Sequence, residues 1–348
     1  MGVLGFAHGH VGAYCAEWRT ADYGVRVLAG WDHDAARLDA AAAEYGLAPY
    51  PDVGELLDRE DIRAVVIGAE TSRHAELAEL AADRGKAIVL QKPMALTLAE
   101  AERIRAAVSR NGVPFTLAWQ MRVDPQNVQM KKWLESGELG QVFMVRRRHG
   151  LSMGLSADFA NSWHVDPALN RDIWADDCSH PADFVHWLLG VPETVTAEIE
   201  SLYNPRIPSD NGIAVYRYPG GPIAEVSCSF TCAAAENTTE IVCEKGTIVQ
   251  NFGDAVSCNV PRPEQAAALK RFDVGTGAWT ESPIAAPPNH GFRIRALAGP
   301  LAEFIGGKRE PLATAEEGIA SLRMVLATYV SSREGRRVRL DDPALEQV

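Results

Sequence analysis

Four groups of residues in this 348-residue chain have the types and spacing to do chemistry. The first is the opening turn, MGVLGFAHGHVGAY, in which Gly5 can take a tight bend ahead of a helix-like run from Val11 to Arg19. A glycine turn between a strand and a helix presents backbone N–H groups and a helix N-terminus to a pyrophosphate. Ala7 and His10 occupy the second and third glycine positions of the usual fingerprint. Alanine still allows a fairly close backbone approach, whereas histidine does not reproduce a glycine's close helix packing. The second group is Asp32, which ends the strand-like LAGWD; an acid there suits a ribose diol and repels a 2′-phosphate, so NAD is expected over NADP. Asp34 competes for the same task. The third is Lys92 in VLQKPMALTLAEA, between an apolar strand and a helix, where an ammonium can hold a reacting oxygen and stabilise a developing alkoxide. The fourth is DIWADDCSHPADFVHWLLG: Pro181 belongs in a helix's first turn, so Asp176 and His180 lie four apart around a helix start, close enough for the carboxylate to orient the imidazole.

Each group also has a plain structural reading. Asp32 could be a turn acid, Lys92 a solvated lysine, Asp176 or Asp177 a helix cap and His180 a satisfied core histidine. A metal site would need His8 and His10 to converge with His164 or His180; a His-x-His pair on a turn is not a ligand set by itself, so no metal is expected. The six cysteines, Cys15, Cys178, Cys228, Cys232, Cys243 and Cys258, are scattered, which argues against a disulfide framework. Cys228 and Cys232, four apart in a strand-like run, are expected on one face as buried thiols.

The elements that must position these residues follow from two patterns. From residue 1 to about 120, short β-branched runs (25–29, 64–67, 87–90, 114–118) alternate with helical stretches (35–45, 75–84, 98–110), which predicts an α/β unit with a parallel, doubly wound sheet. From about 121 to 348, tryptophans cluster and short alternating runs separated by Pro/Gly turns predict a large, mostly antiparallel sheet with a few helices. The run Arg146-Arg-Arg-His149, read as a strand, sends Arg146 and Arg148 to one face and Arg147 and His149 to the other; one face could meet an anionic sugar or form a salt-bridged sheet or subunit interface.

Composition narrows the partners. Hydrophobic residues make up 47% and charged residues 23%, as in ordinary globular proteins, and 34 Lys plus Arg against 46 Asp plus Glu leave a formal charge of -12, which disfavours nucleic acid and anionic membrane. No charged segment followed by an apolar one opens the chain, and no apolar run approaches the roughly 18 residues of a membrane span, so a cytoplasmic protein acting on a small molecule is expected.

Taken in order, the glycine turn, Asp32, GAETSRHAELA, the Lys-Pro motif, WLESGELGQV, the Asp-x3-His motif, TTEIVCEKGTI and SSREGRRV resemble the glucose–fructose oxidoreductase and inositol dehydrogenase (Gfo/Idh/MocA) family over nearly the whole chain. The resemblance implies an NAD-binding Rossmann domain at 1–120 and a substrate-binding and oligomerisation α/β domain at 121–348, with Lys92, Asp176 and His180 as the catalytic set. It implies cofactor contacts at Gly5, Phe6, Ala7, His8, His10, Asp32, His33, Arg37, Ala69, Glu70, His74, Gln91 and Lys92. Trp119, Arg122, Asp124, Asn127, His149, Trp163 and His164 fall on segments it sets near the interdomain cleft, as candidate substrate contacts. Gln91 departs from the family's glutamate and removes a negative neighbour of Lys92. The activity implied is hydride transfer between a sugar, sugar-derivative or polyol hydroxyl and NAD; a redox-neutral NAD-dependent glycosidase and a silent NAD-binding sensor are the alternatives. An exposed sheet face suggests a homodimer or homotetramer.

Overall fold

A computed structural model describes residues 1–234, 237–253, 260–261 and 265–348. In chain order the elements are β1 (Gly2–Leu4), α1 (Gly9–Thr20), β2 (Ala29–Trp31), α2 (Ala35–Tyr45), β3 (Ala48–Tyr50), α3 (Val53–Leu57), β4 (Ala64–Ile67), α4 (His74–Asp83), β5 (Ala87–Leu90), α5 (Leu98–Asn111) and β6 (Phe115–Leu117). They continue with α6 (Pro125–Glu135), β7 (Val142–Gly150), α7 (Ser179–Leu189), β8 (Thr194–Glu200), β9 (Asn211–Arg217), β10 (Ile223–Ser229), β11 (Thr239–Cys243), β12 (Gly246–Gln250), β13 (Leu269–Asp273), β14 (Ala278–Glu281), α8 (His290–Arg295), α9 (Ala298–Ile305), α10 (Ala315–Glu334) and β15 (Val338–Arg339).

Two compact units result, the first comprising residues 1–120, 168–170 and 294–322 and the second 121–167, 171–293 and 323–348. In the first, six parallel strands run in the order β3-β2-β1-β4-β5-β6. The reversal of order at β1 and β4 is the switch point where such sheets bind ligands. Central β4 is buried along its whole length, which is why it reads Ala-Val-Val-Ile with no polar alternation. The helices start and stop where side chains dictate: Thr97 and Glu100 form a reciprocal capping box on α5, and left-handed Gly46 and Gly112 end α2 and α5. The return of residues 294–322 to this unit was not expected from the sequence. They cover β6, an edge strand: Leu117 N–H donates to the Ala313 carbonyl at 3.0 Å, and Leu312 N–H donates to Thr116 Oγ1 at 2.8 Å. The indole of Trp18 on α1 donates to the Ala298 carbonyl at 2.9 Å and ties α9 in place.

In the second unit nine strands run β14-β13-β12-β11-β7-β10-β9-β8-β15, antiparallel except for the β7–β10 pair. The two-residue period of β7 buries Arg147 and His149 and exposes Arg146 and Arg148. Helix α7 packs on the buried face against β7 and β10, where the Arg147 guanidinium lies 5.7 Å from the centre of the Phe184 ring. Strand β10 stops at Ser229, so Cys228 is buried while Cys232, beyond the strand, is partly exposed rather than on the same face. Cys15, Cys178 and Cys243 are buried and unbridged, and Cys258 lies outside the described residues. Among the described residues, no helix is long and apolar enough to cross a membrane.

Candidate active site

The first unit places a candidate cofactor site at the C-terminal ends of β1, β2, β4 and β5. Gly5 has φ +88°, and a Cβ there would fall 2.4 Å from the Ala69 Cα, so the turn between β1 and α1 requires glycine at this position. His8 N–H donates to the Gly68 carbonyl at 2.9 Å, and His8 Nδ1 caps α1 by accepting from His10 N–H at 3.4 Å. A Cβ on Gly9 would meet nothing within 4 Å, so the first residue of α1 faces open space. The close packing that His10 cannot provide comes from the other partner: a Cβ on Gly68 would lie 2.2 Å from Val11 Cγ2, so glycine at the end of β4 lets α1 approach. His8 and His10 are edge to face at 4.4 Å. Among the described residues no group of three or more His, Cys, Asp or Glu could hold a metal ion.

Asp32, at the end of β2, is fully engaged by the chain itself. It accepts from Phe6 N–H at 2.7 Å, Asp34 N–H at 2.9 Å, Arg37 Nε at 2.7 Å and Arg37 Nη2 at 2.8 Å. These fill the roughly four acceptor positions a carboxylate offers. Burial works to raise the Asp32 pKa, but the Arg37 and backbone hydrogen bonds outweigh it and hold the group below the usual carboxylate range. Arg37 also reaches Glu70 at 2.9 Å, and His33 Nδ1 lies 3.4 Å from Asp32 and 3.6 Å from Glu70. The expected ribose-binding acid thus shares its charge with an arginine that sequence reading did not pair with it.

At the end of β5, Gln91 is buried and its Nε2 donates to Tyr14 Oη at 3.2 Å, while its Oε1 has no hydrogen-bond partner among the described residues. Lys92 follows, buried, on a turn whose Lys92–Pro93 peptide is cis. His74 braces that turn: Nδ1 lies 3.0 Å from the Pro93 carbonyl and Nε2 3.2 Å from the Ala69 carbonyl. Burial pushes the His74 imidazole down to about 4, so the ring is neutral near pH 7 and donates a single proton to one of these carbonyls. Trp119 is buried just after β6 in the same unit.

The second unit supplies a separate cluster on the turn that leads into α7. Residues Trp174–Cys178 form a π-helical turn, a conformation that recurs at functional sites. Asp172 anchors it, accepting from Ala175 N–H at 2.9 Å, from Ser209 Oγ at 2.8 Å and from Tyr329 Oη. Burial raises the Asp172 pKa above the ordinary carboxylate value against these hydrogen bonds. Asp176, expected beside His180, has its Oδ2 2.7 Å from His164 Nδ1. The His164 ring stacks on Trp163 at 3.9 Å and on Phe159 at 5.9 Å. His180 Nε2 is 3.7 Å from Asp177 Oδ1, and its ring lies 6.3 Å from that of His149.

Of the candidate substrate contacts in this unit, His149, Trp163 and His164 therefore touch the Asp176–His180 segment or one another. Arg122 and Asn127 do structural work: Arg122 makes a buried two-pronged pair with Asp183 at 2.9 and 2.8 Å, and Asn127 bonds the Met121 carbonyl and Gln250 at the start of α6. Asp124 caps α6 and pairs with Arg293 at 2.8 Å. Sequence reading missed the Asp172–Ser209–Tyr329 anchor, whose partners are 37 and 157 residues away and leave no local signal.

Two family models match. Residues 1–118 match an oxidoreductase family with an NAD-binding Rossmann fold, and residues 127–249 match the GFO/IDH/MocA C-terminal domain. The D-apiose dehydrogenase of Paraburkholderia graminis is 27% identical over 346 residues, covering 96% of this chain and 87% of that enzyme. The inositol 2-dehydrogenase of Salmonella typhimurium is 31% identical over 169 residues, 48% of this chain and 47% of that enzyme. A levoglucosan dehydrogenase solved with NADH and levoglucosan has a TM-score of 0.78 at 20% identity, covering 98% of this chain and 99% of that one, which is a likeness of fold. With the Rossmann model on its first 118 residues and the matching C-terminal model on the second unit, this chain belongs to the GFO/IDH/MocA family of NAD-binding oxidoreductases.

Proposed function

We propose that the protein is an NAD-dependent dehydrogenase that moves hydride between a hydroxyl-bearing carbon of a sugar, sugar derivative or polyol and NAD. The observation that carries this reading is the imidazole–carboxylate cluster on the π-helical turn, a proton-handling group in a chain whose other unit is built for a dinucleotide. D-apiose and inositol, the substrates named for two relatives, support a polyhydroxylated substrate.

The residues of the first unit fit the cofactor. The open space at Gly9, the helix start of α1 and the buried Gln91 Oε1 lacking a partner are features a dinucleotide would use. Phe6, Ala7, His8, His10, Asp32, His33, Arg37, Ala69, Glu70 and Gln91 would hold NAD, with Asp32 exchanging part of its Arg37 contact for a ribose hydroxyl. NAD, when bound, supplies the two-electron acceptor for the carbinol C–H. By the family resemblance, Lys92 is assigned to the substrate oxygen, and Asp176 with His180 to the hydroxyl proton.

Titration calorimetry with NAD and NADP, followed by turnover of a sugar and polyol panel, tests this on the wild type beside Lys92→Ala and Asp176→Ala. NAD binding in all three, with turnover reduced at least about 10²-fold in the variants, is the expected result. Undiminished turnover in both variants would overturn the assignment, and aryl-glycoside cleavage without NADH accumulation would replace the dehydrogenase with the glycosidase. The same reading makes the protein a cytoplasmic homodimer or homotetramer, which light scattering of the purified chain checks.

A further inference from the structure

We infer that Glu70 is a specificity-determining residue of the coenzyme site: its carboxylate takes a hydroxyl of the adenosine ribose of NAD, and its charge keeps out the 2′-phosphate of NADP. This role deepens the dehydrogenase reading and rests on its placing NAD in the first unit. Asp32 has no acceptor to spare, since Phe6 N–H, Asp34 N–H and two Arg37 nitrogens already fill it. Glu70, three residues beyond the end of β4, has one. Its Oε1 accepts from Arg37 Nη2 at 2.9 Å, whereas its Oε2 is buried and has no hydrogen-bond partner among the described residues. A buried carboxylate oxygen without a donor is costly, and a ribose O–H supplies the missing donor.

The two acids converge on one guanidinium. Arg37 Nη2 donates to Asp32 Oδ1 at 2.8 Å as well as to Glu70 Oε1, so a single nitrogen joins the segments that leave β2 and β4, at the edge where a doubly wound sheet binds its ligand. Water screens neither acid: the Asp32 side chain is fully buried and that of Glu70 is 4% exposed. Two nitrogens stop short of Oε2. His33 Nδ1 lies 3.6 Å from it and Arg73 Nε 3.9 Å, both beyond hydrogen-bond length. These two side chains are 32% and 36% exposed and can yield to an entering hydroxyl, while Arg37 holds Glu70 in place.

Charge supplies the other half of the role. A phosphate in place of the 2′-hydroxyl brings about two negative charges and no comparable donor. It would meet two carboxyl groups that already share one guanidinium, in a site with little water to weaken the repulsion. Were Glu70 only a strut for Arg37, an uncharged isostere in its place would alter the binding of both coenzymes alike.

The test reads binding rather than turnover. Titration calorimetry of NAD and NADP on the full chain compares the wild type with Glu70→Gln, which keeps an acceptor oxygen and removes the charge, and with Glu70→Ala, which removes both; thermal unfolding checks that each variant is folded. The wild type should bind NAD at least about tenfold more tightly than NADP. Glu70→Gln should keep the Kd for NAD within about threefold of the wild type and lower that for NADP at least about tenfold, as expected when one like charge leaves a buried site. Glu70→Ala should weaken NAD about tenfold through the lost acceptor. A wild type that binds the two coenzymes equally, a Kd ratio unchanged in Glu70→Gln, or NAD binding unimpaired in Glu70→Ala would each overturn the role of Glu70 and leave the dehydrogenase reading standing. A wild type that binds neither coenzyme would remove that reading and this role together.

Discussion

His74 shows how a residue's surroundings set its protonation state. It lies in GAETSRHAELA among the expected cofactor contacts, yet both ring nitrogens face backbone carbonyls, and the ring joins the end of β4 to the turn that carries Lys92. Its pKa falls from 6.5 to about 4 because burial disfavours the charged ring. Between those values the unfolded chain binds a proton that the folded chain excludes, so stability rises with pH through the window and falls as pH drops from 6.5 toward 4. From pH 7.5 to pH 4.5 the loss from this group is about 2–3 kcal/mol. Urea denaturation at the two pH values should show that slope in the wild type and a flatter one in His74→Gln; equal slopes would mean that the ring titrates normally. The identity of the residue was legible in the sequence, but its protonation state depended on carbonyls supplied by two other strand ends.

Elements decide how the glycine turn works without its usual third glycine. Gly68, just after β4, packs against Val11 of helix α1, and Val11 is fully buried and β-branched, so it cannot swing aside. Gly68→Ala should therefore cost about 1–3 kcal/mol by overpacking, and should weaken NAD by displacing the start of α1. Gly9→Ala is its counterpart: with nothing within 4 Å of the new Cβ, stability should stay within about 1 kcal/mol of wild type while NAD binding weakens, because the methyl group projects into the space where the proposed function puts the pyrophosphate. Thermal unfolding and calorimetry on both variants separate the effects, and unimpaired NAD binding by Gly9→Ala would move the cofactor elsewhere. The sequence showed a turn with a histidine in a glycine's place. It could not show that the compensating glycine follows a strand and lies 58 residues later, since its packing against α1 has no counterpart in local spacing.

At the scale of the whole molecule, a chain of formal charge -12 carries an arginine-rich strand, two of whose arginines are engaged within the second sheet. Arg146 lies 3.4 Å from Glu225 and 3.6 Å from Glu240 on the two neighbouring strands, and Arg147 turns inward to Thr239 at 3.0 Å. Arg146 is about half exposed, so Arg146→Ala should change stability by less than about 1 kcal/mol and leave turnover of neutral polyols unchanged. A selective loss of turnover on uronates in that variant would show instead that this face meets the substrate. The sequence by itself determined the parallel α/β unit, the mostly antiparallel second sheet, the glycine turn and the lysine at a strand end, because each is written in short-range periodicity or turn chemistry. Tertiary structure alone decided that Asp176 meets His164, twelve residues before it, that Arg37 occupies Asp32, that Asp172 reaches Tyr329, and that residues 294–322 return to cover β6. Those pairings depend on where separate backbone segments dock, and the docking is set by burial summed over many residues rather than by the spacing of any few.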